Sequence, residues 1–392
     1  MIQKTVFASK LGDLLVAIAQ IKRMKEYKSA KSVLVLIYGN GFSKKEGYIY
    51  YDTIKTKLPN ATVTGISVIT SQRDWNGHGA SVSFFIFEET DVNVYTYNGN
   101  IFNEDDVINH FSKVMDETEN LKVVLTYPVG LERDFTKVFE ILSSKNTDVV
   151  FFGGLAAARD YRRGEEKAFY SPDDLKKRRI EVAGEGNLEH LFKGIGIKGE
   201  AEAFAIGDGL IESGCVLITL SGEKLQSEAR YVLGWKPLGV GLPVTGRIQS
   251  DDMGNACLTE IDGMPATEIY KKYLDVDTDE YFLDNVCEFP IIVNRNDTLI
   301  ARVPLFSGEE GRLYFSGDIR EGEDIRLSYV NPIELFKNSK RAADELAQFE
   351  PEAMIMTICY NRFHFLKENE YKEIEYFLNI HENLIYGFGG FG

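Results

Sequence analysis

Three glycines near the end of the chain have the spacing of a nucleotide loop. In "NLIYGFGGFG", Gly387, Gly389 and Gly392 fit G-x-G-x-x-G, the pattern whose backbone N–H groups cradle a pyrophosphate. That chemistry also needs a strand before the glycines, a helix after them and an acid about 20 residues on for the ribose. Residues 383–386 read as the strand, but no helix follows, so the fingerprint is incomplete. A second match, Gly194, Gly196 and Gly199 in "GIGIKG", follows the helical "NLEHLF" instead of a strand.

Other chemistry fails in similar ways. "DVDTDEYFLDNV" places Asp275, Asp277 and Asp279 like the first ligands of a calcium loop, but Glu280 and Val286 stand where glycine and glutamate are required. "SGEK" has the S-x-x-K spacing with Ser221 and Lys224, yet that nucleophile belongs at a helix start and this one falls in an expected hairpin turn. Histidines at 78, 110, 190, 364 and 381 show no zinc spacing. Cys215, Cys257, Cys287 and Cys359 form no C-x-x-C pair and read as reduced, mostly buried thiols. No catalytic constellation, metal site or cofactor is expected.

The chain has 392 residues, enough for about two domains. Asp and Glu number 60 against 44 Lys and Arg, a formal net charge of -16, so the whole-molecule field repels phosphate backbones and anionic lipid. Neither a nucleic acid nor a membrane is expected as a partner. The dense basic run Lys176, Lys177, Arg178 and Arg179 reads as a solvated loop. Residues 1–30 read as an N-terminal amphipathic helix with Leu11, Leu14, Leu15, Ile18 and Ile21 on one face. Charges at Lys4, Lys10 and Asp13 rule out the apolar core of a signal peptide, and no apolar run approaches the roughly 18 residues of a membrane span. A cytoplasmic protein is expected.

The elements that must position any site follow one plan three times. "KSVLVLIYGN", "KKEGYIYYDTIKTKL" and "ATVTGISVI" read as strand, helix and a strand carrying Gly65. "LKVVLTYPVG", "DFTKVFEILSSK" and "TDVVFFGGLAAA" repeat it with Gly153 and Gly154, and "EAMIMTICYN", "ENEYKEIEYFLNI" and "NLIYGFGGFG" repeat it again. After the first two copies, antiparallel hairpins are expected: "ASVSFFIFEE" with "DVNVYTYNG", and "GCVLITLSG" with "SEARYVLGW". A polar insert, 161–200, interrupts the second copy. The third lacks a sequel, so a truncated chain with a further C-terminal domain is expected. Between the second and third copies, "ACLTEIDG", "FPIIV", "LIARVPLF", "RLYFSGDI" and "DIRLSYV" read as short strands. "MPATEIYKKYL" reads as a helix with Pro265 in its first turn, and "NPIELFKNSKRAADELAQFE" as a long helix. The fold class is α/β with α+β character, mixed sheets with flanking helices in two domains, 31–247 and 248–392.

"VFFGGLAAARD", "AIGDGLIESGCVLITLSG", "YVLGWKPLGVGLPVTG", "TEIDGMPATEIYKKYL", "LYFSGDIREGEDIRLSYV" and "ICYNRFHFL" occur in an order that resembles the FIST family. The resemblance spans roughly residue 31 to the end, as a FIST N-like and a FIST C-like half. Where that family often carries G-C-S-T-x-G-E, this chain has "GISVITSQ" and keeps Gly65 and Ser67. The resemblance implies a ligand-sensing input module of signal transduction. Its ligands are small metabolites, amino acids among those proposed. In bacteria such modules are coupled to output domains such as diguanylate cyclases, phosphodiesterases, histidine kinases or chemoreceptor modules, and in eukaryotes to F-box proteins. The sensory region itself is then not an enzyme, and a homodimer is left open.

Six residues are candidates for holding the ligand. Gly153 and Gly154 expose backbone N–H groups at a strand end, or else serve close packing. Trp235 offers an aromatic wall or a core anchor, and Lys236 a cation for a carboxylate or a solvated charge. Cys359 and Arg362 end the first strand of the third copy. There the arginine is placed to take a carboxylate in its fork or to form an ion pair. Two other classes remain: an enzyme with a dispersed site, a hydrolase or transferase using Cys359, and a protein-interaction scaffold.

Overall fold

The computed structural model describes residues 1–69, 78–98, 103–129, 135–157, 202–248, 257–278, 282–286, 288–315, 317–366 and 369–389. The polar insert with its basic run, the second glycine match, His190, Asp279, Glu280, Cys287 and Gly392 lie outside the described residues.

The N-terminal half is built twice from the same unit. In the first, β1 (Ile2–Ala8), α1 (Leu11–Arg23), α2 (Lys25–Ser29), β2 (Ser32–Asn40), α3 (Lys44–Lys57), β3 (Thr62–Val68) and β4 (Gly79–Phe87) give the strand order β1-β4-β2-β3. In the second, β5 (Asp91–Tyr97), α4 (Glu104–Glu117), β6 (Leu121–Val129), α5 (Thr136–Ser144), β7 (Val150–Gly153), β8 (Ala205–Gly207), β9 (Gly209–Ile211) and β10 (Gly214–Ser221) follow. Their strands give β5-β10-β6-β7, the same order, while β8 and β9 extend the first sheet beyond β3. The lone N-terminal helix expected for residues 1–30 is corrected here. A strand precedes it and pairs antiparallel with β4, while α1 buries Leu14, Ala17, Ile18 and Ile21 and leaves Leu15 exposed.

Alternation along the strands sets the layers. In β2, Val33, Val35 and Ile37 pack beneath α1 and α3, whereas Leu34, Leu36 and Tyr38 face the second sheet. In the second sheet, Val216 and Ile218 face inward while Cys215 and Leu217 pack against α4 and α5. The half is thus four layers, helix, sheet, sheet, helix. At its middle the Tyr38 and Tyr127 hydroxyls, from equivalent places in β2 and β6, lie 3.0 Å apart. Burial pushes both phenols up.

Neither expected hairpin forms. Both edges of β4 are taken by β1 and β2, so β5 crosses to the other sheet and pairs with β10. Both edges of β10 are taken by β5 and β6, so 225–234 adds no strand to it. The chain passes instead into β11 (Trp235–Ile248) of the C-terminal sheet.

That sheet continues with β12 (Cys257–Ile261), β13 (Met264–Pro265), α6 (Glu268–Leu274), α7 (Phe282–Val286), β14 (Ile291–Arg295), β15 (Thr298–Arg302), β16 (Pro304–Ser307), β17 (Leu313–Phe315) and β18 (Asp324–Val330). Its strand order is β15-β14-β18-β11-β12-β17-β16. Pro265 stands in β13, ahead of α6, and not in the helix's first turn. The long helix α8 (Pro332–Gln348) starts as expected, with the Asn331 side chain accepting from Ile333 and Glu334 and proline in the first turn. Then come β19 (Ile355–Cys359), α9 (Tyr360–Leu366), α10 (Glu370–Leu378) and β20 (Ile385–Gly389). The sequence pattern gave no sign of α9. No described helix is long and apolar enough to cross a membrane.

The three repeated segments share one topology. β2 pairs with β3, β6 with β7 and β19 with β20, each in parallel, and a glycine of the second strand always faces the first: Gly65 opposite Ile37, Gly153 opposite Thr126, Gly387 opposite Thr357. Gly65 has φ 151°, and a Cβ there would stand 2.0 Å from the Ile37 carbonyl oxygen. Gly65→Ala is therefore expected to lower unfolding free energy by at least about 2 kcal/mol in urea titrations. Gly12→Ala, in α1 with open space around it, should raise it by up to about 1 kcal/mol.

Candidate functional site

The three glycine-bearing strand ends converge. Ala157 N–H donates to Ser67 O at 3.0 Å, and Ile69 N–H donates to Phe388 O at 2.8 Å. Thr357 Oγ1 donates to Gly153 O at 2.8 Å. Added Cβ atoms would stand 3.1 Å from Thr357 at Gly154, 2.8 Å from Tyr38 at Gly387 and 2.7 Å from Leu155 O at Gly389. The glycines let three backbones approach one another. No phosphate loop is built from Gly387 and Gly389: they lie within or at the end of β20, packed on Tyr38 and Leu155.

Away from that junction β7 and β19 border a cleft of about 1370 Å3. Leu34, Phe85 and Phe87 of the first sheet's inner face form its floor, Phe151 and Phe152 one wall, and Met356 and Cys359 the other. The linking segment before β11 and the C-terminal sheet close the end with Val232, Trp235 and Arg302. β1 holds β19 in place. The Gln3 side-chain amide donates to Met354 O at 3.1 Å and accepts from Met354 N–H at 2.8 Å. Thr5 N–H donates to Asn383 Oδ1 at 3.3 Å.

Four of the six candidate residues meet at this cleft: Gly153, Trp235, Cys359 and Arg362. Gly154 packs on Thr357, outside its lining. Lys236 follows Trp235 along β11 and so points to the opposite face, where it meets Glu334 at 3.4 Å. A Cβ on Gly153 would stand 1.9 Å from Thr126 O, so close strand pairing alone requires glycine there. Trp235 is buried and its indole N–H donates to Glu288 O at 3.0 Å. Cys359 is half-buried in the wall, and among the described residues no histidine lines the cleft. Cys215 and Cys257 are buried, as expected.

Arg362 has its fork filled from within the protein. Its Nε donates to Glu373 Oε2 at 2.7 Å and Nη2 to the other carboxylate oxygen. Nη1 donates to Val232 O at 3.0 Å and Nη2 also to Ser339 Oγ at 3.1 Å. The other cations of the lining are held too: Lys224 by Glu89, Arg230 by Glu345, and Arg302 by the Asp318 carbonyl and, at 3.9 Å, its carboxylate. The sequence reading missed the apolar floor, because Leu34, Phe85 and Phe87 are indistinguishable from core residues. Arg302 did leave a signal, a charge set inside the apolar "LIARVPLF", where a partner is obligatory.

Asp318 belongs to a network that ties the two halves together. Arg295 and Arg320 both hold Asp318, at 2.6 and 2.7 Å, and both reach across to Glu140 on α5, at 3.2 and 2.6 Å. Arg295 also holds Glu323 at 2.7 Å. Burial pushes the Asp318 and Glu323 carboxyls up, but hydrogen bonds from the arginines outweigh it and hold both below their ordinary values.

Arg362→Leu should cost about 3–5 kcal/mol in urea unfolding, because Glu373 is left buried and unpaired, and Arg362→Leu/Glu373→Leu should recover much of it. Equal stability of the single variant and the parent would sink the internal-pair reading. The lowered carboxyls contribute stability above the ordinary carboxylate pKa of about 4, lost as pH falls through their folded values. Urea midpoints should therefore drop on acidification below about pH 4, with a shallower drop in Asp318→Asn, which starts from a lower midpoint at neutral pH.

Two family models match this chain: the FIST N domain over residues 33–264 and the FIST C domain over residues 266–392. No curated protein matches it. FIST domains are sensory domains of signal-transduction proteins, generally regulatory and not catalytic. With a sheet-and-helix unit doubled into four layers and followed by a third strand-helix-strand segment, and both models matched in order, the chain belongs to the FIST family.

Proposed function

We propose that the chain is a cytoplasmic ligand-sensing input module whose cleft between β7 and β19 binds a small, largely apolar metabolite. The observation that carries this reading is the cleft itself. Its size exceeds that of ordinary ligand pockets, it is floored by aliphatic and aromatic side chains, and its cations are matched by carboxylates of the protein. An amino-acid ligand would have to engage an arginine already held by Glu373, whereas an aliphatic or aromatic body needs only the floor and Trp235. Binding near the micromolar range requires about 8 kcal/mol, which apolar burial at about 25 cal/mol per Å2 supplies from roughly 300 Å2.

β7 belongs to the N-terminal sandwich and β19 packs with the C-terminal half. An occupant between them favours one spacing of the halves, and that population shift is the signal passed to a C-terminal output domain. Hydrolase or transferase chemistry at Cys359 has less support, since the wall around the thiol offers no histidine base among the described residues. A thermal-shift screen over neutral hydrophobic metabolites and over amino acids tests the proposal. A ligand at 100 times its dissociation constant adds about 2.7 kcal/mol, and Trp235→Ala should weaken any hit at least tenfold. Hits confined to charged amino acids, or hits indifferent to Trp235, would overturn it.

A further inference from the structure

We infer that the outer helical face formed by α1, α2 and α3 docks on an anionic phospholipid bilayer. The formal charge of -16 hides a strong segregation. Residues 1–57 carry eleven Lys and Arg against four Asp and Glu, a net of +7, which leaves -23 on the rest of the chain. Lys22, Arg23, Lys25 and Lys28 gather at the ends of α1 and α2, with Lys55 and Lys57 at the end of α3. The ends of α1 and α3 are neighbours, since Lys22 Nζ donates to Lys57 O at 3.3 Å. Among the described residues none of these six cations is in an ion pair.

The same face exposes large apolar side chains. Val16 is 59% exposed and Tyr48 55%, with Leu15 and Ile49 beside them in sequence. Three of the four sit seven residues before a cation on their own helix, Leu15 before Lys22, Val16 before Arg23 and Tyr48 before Lys55, so apolar and basic groups share one helix face. α1 and α3 lie on one sheet, which makes their outer surface a broad platform and not a groove. Ten of the eleven cations are lysines. Protein interfaces are depleted in lysine and enriched in arginine, whereas a bilayer is drawn to lysine and arginine alike through its surface potential and accepts exposed apolar side chains and tyrosine at headgroup depth. The cleft opens from the inner side of that sheet, where Leu34 faces away from α1 and α3, so a docked molecule keeps its cleft open.

Co-sedimentation of the full chain with phosphatidylcholine vesicles, with and without phosphatidylserine, tests the inference. Binding is expected only to the phosphatidylserine vesicles and is expected to be released by salt. Lys22→Gln/Arg23→Gln/Lys25→Gln/Lys28→Gln should lower partitioning a hundredfold or more, at about fivefold per charge. Val16→Ser/Tyr48→Ser should weaken it at unchanged charge, and Lys113→Gln/Lys337→Gln, on α4 and α8, should leave it unaltered. Absence of phosphatidylserine-dependent binding, full binding by the quadruple variant, or binding of these cations to polyglutamate or RNA but not to vesicles would overturn the inference. Melting curves of the variants separate loss of binding from loss of fold.

Discussion

Three strand ends meet within backbone hydrogen-bonding distance, glycines standing where larger side chains would hold them apart, and the rest of the structure depends on that meeting. At Ser67, Ala157 and Phe388 the hydrogen bonds run from one repeated segment to another, outside any sheet. They form only if the intervening side chains are absent, which is why Gly154, Gly387 and Gly389 stand there, each with a neighbour at or inside contact distance of a hypothetical Cβ. The junction fixes β19 against β7 at a single place. Because the two strands are joined there by a side-chain bond instead of a ladder, they are not obliged to stay together along their length, and the cleft occupies the gap.

The repeat was legible because strand-helix-strand periodicity is a local property. The pairing partners were not, because an edge is a property of the whole sheet. "ASVSFFIFEE" and "DVNVYTYNG" have the spacing of a hairpin, yet β4 had already been claimed by β1 and β2. The strand that fills β4's edge, Ile2–Ala8, comes from residues read as part of the N-terminal helix. Once Ile2–Ala8 is counted as a strand, both units acquire the same leader and the same order, and the second hairpin fails for the same reason as the first.

The lining of the candidate site was legible to a similar depth. Cys359 and Arg362 were found through their position at a strand end and Trp235 through its aromatic ring, and the fold brings the three to one cleft. What the residue types could not reveal is who answers whom. An arginine after a buried strand is placed equally well for a ligand carboxylate and for one of the protein's own, and Glu373 lies eleven residues on, on a different helix. Desolvation decides between them. A guanidinium as buried as Arg362 is costly without a permanent partner, so a protein that must fold before any ligand arrives has to supply the carboxylate itself. The consequence for the proposed ligand site is chemical: a ligand there would be selected by shape and apolar area, not by a waiting charge.

Alternation along β2 carries the last step. Leu34 lies in the floor of the cleft, while Val33 and Val35, its immediate neighbours, lie under α1 and α3 on the opposite face. One strand thereby separates two surfaces of contrary character, an apolar hollow on one side and a basic helical platform on the other. A close-packed interior transmits displacement instead of absorbing it. An occupant that moved Leu34 would move the backbone on which the helices rest, and a bilayer that held the helices would oppose that movement. The two surfaces are then linked through a single residue step, and by reciprocity each would alter the other's affinity by the same factor.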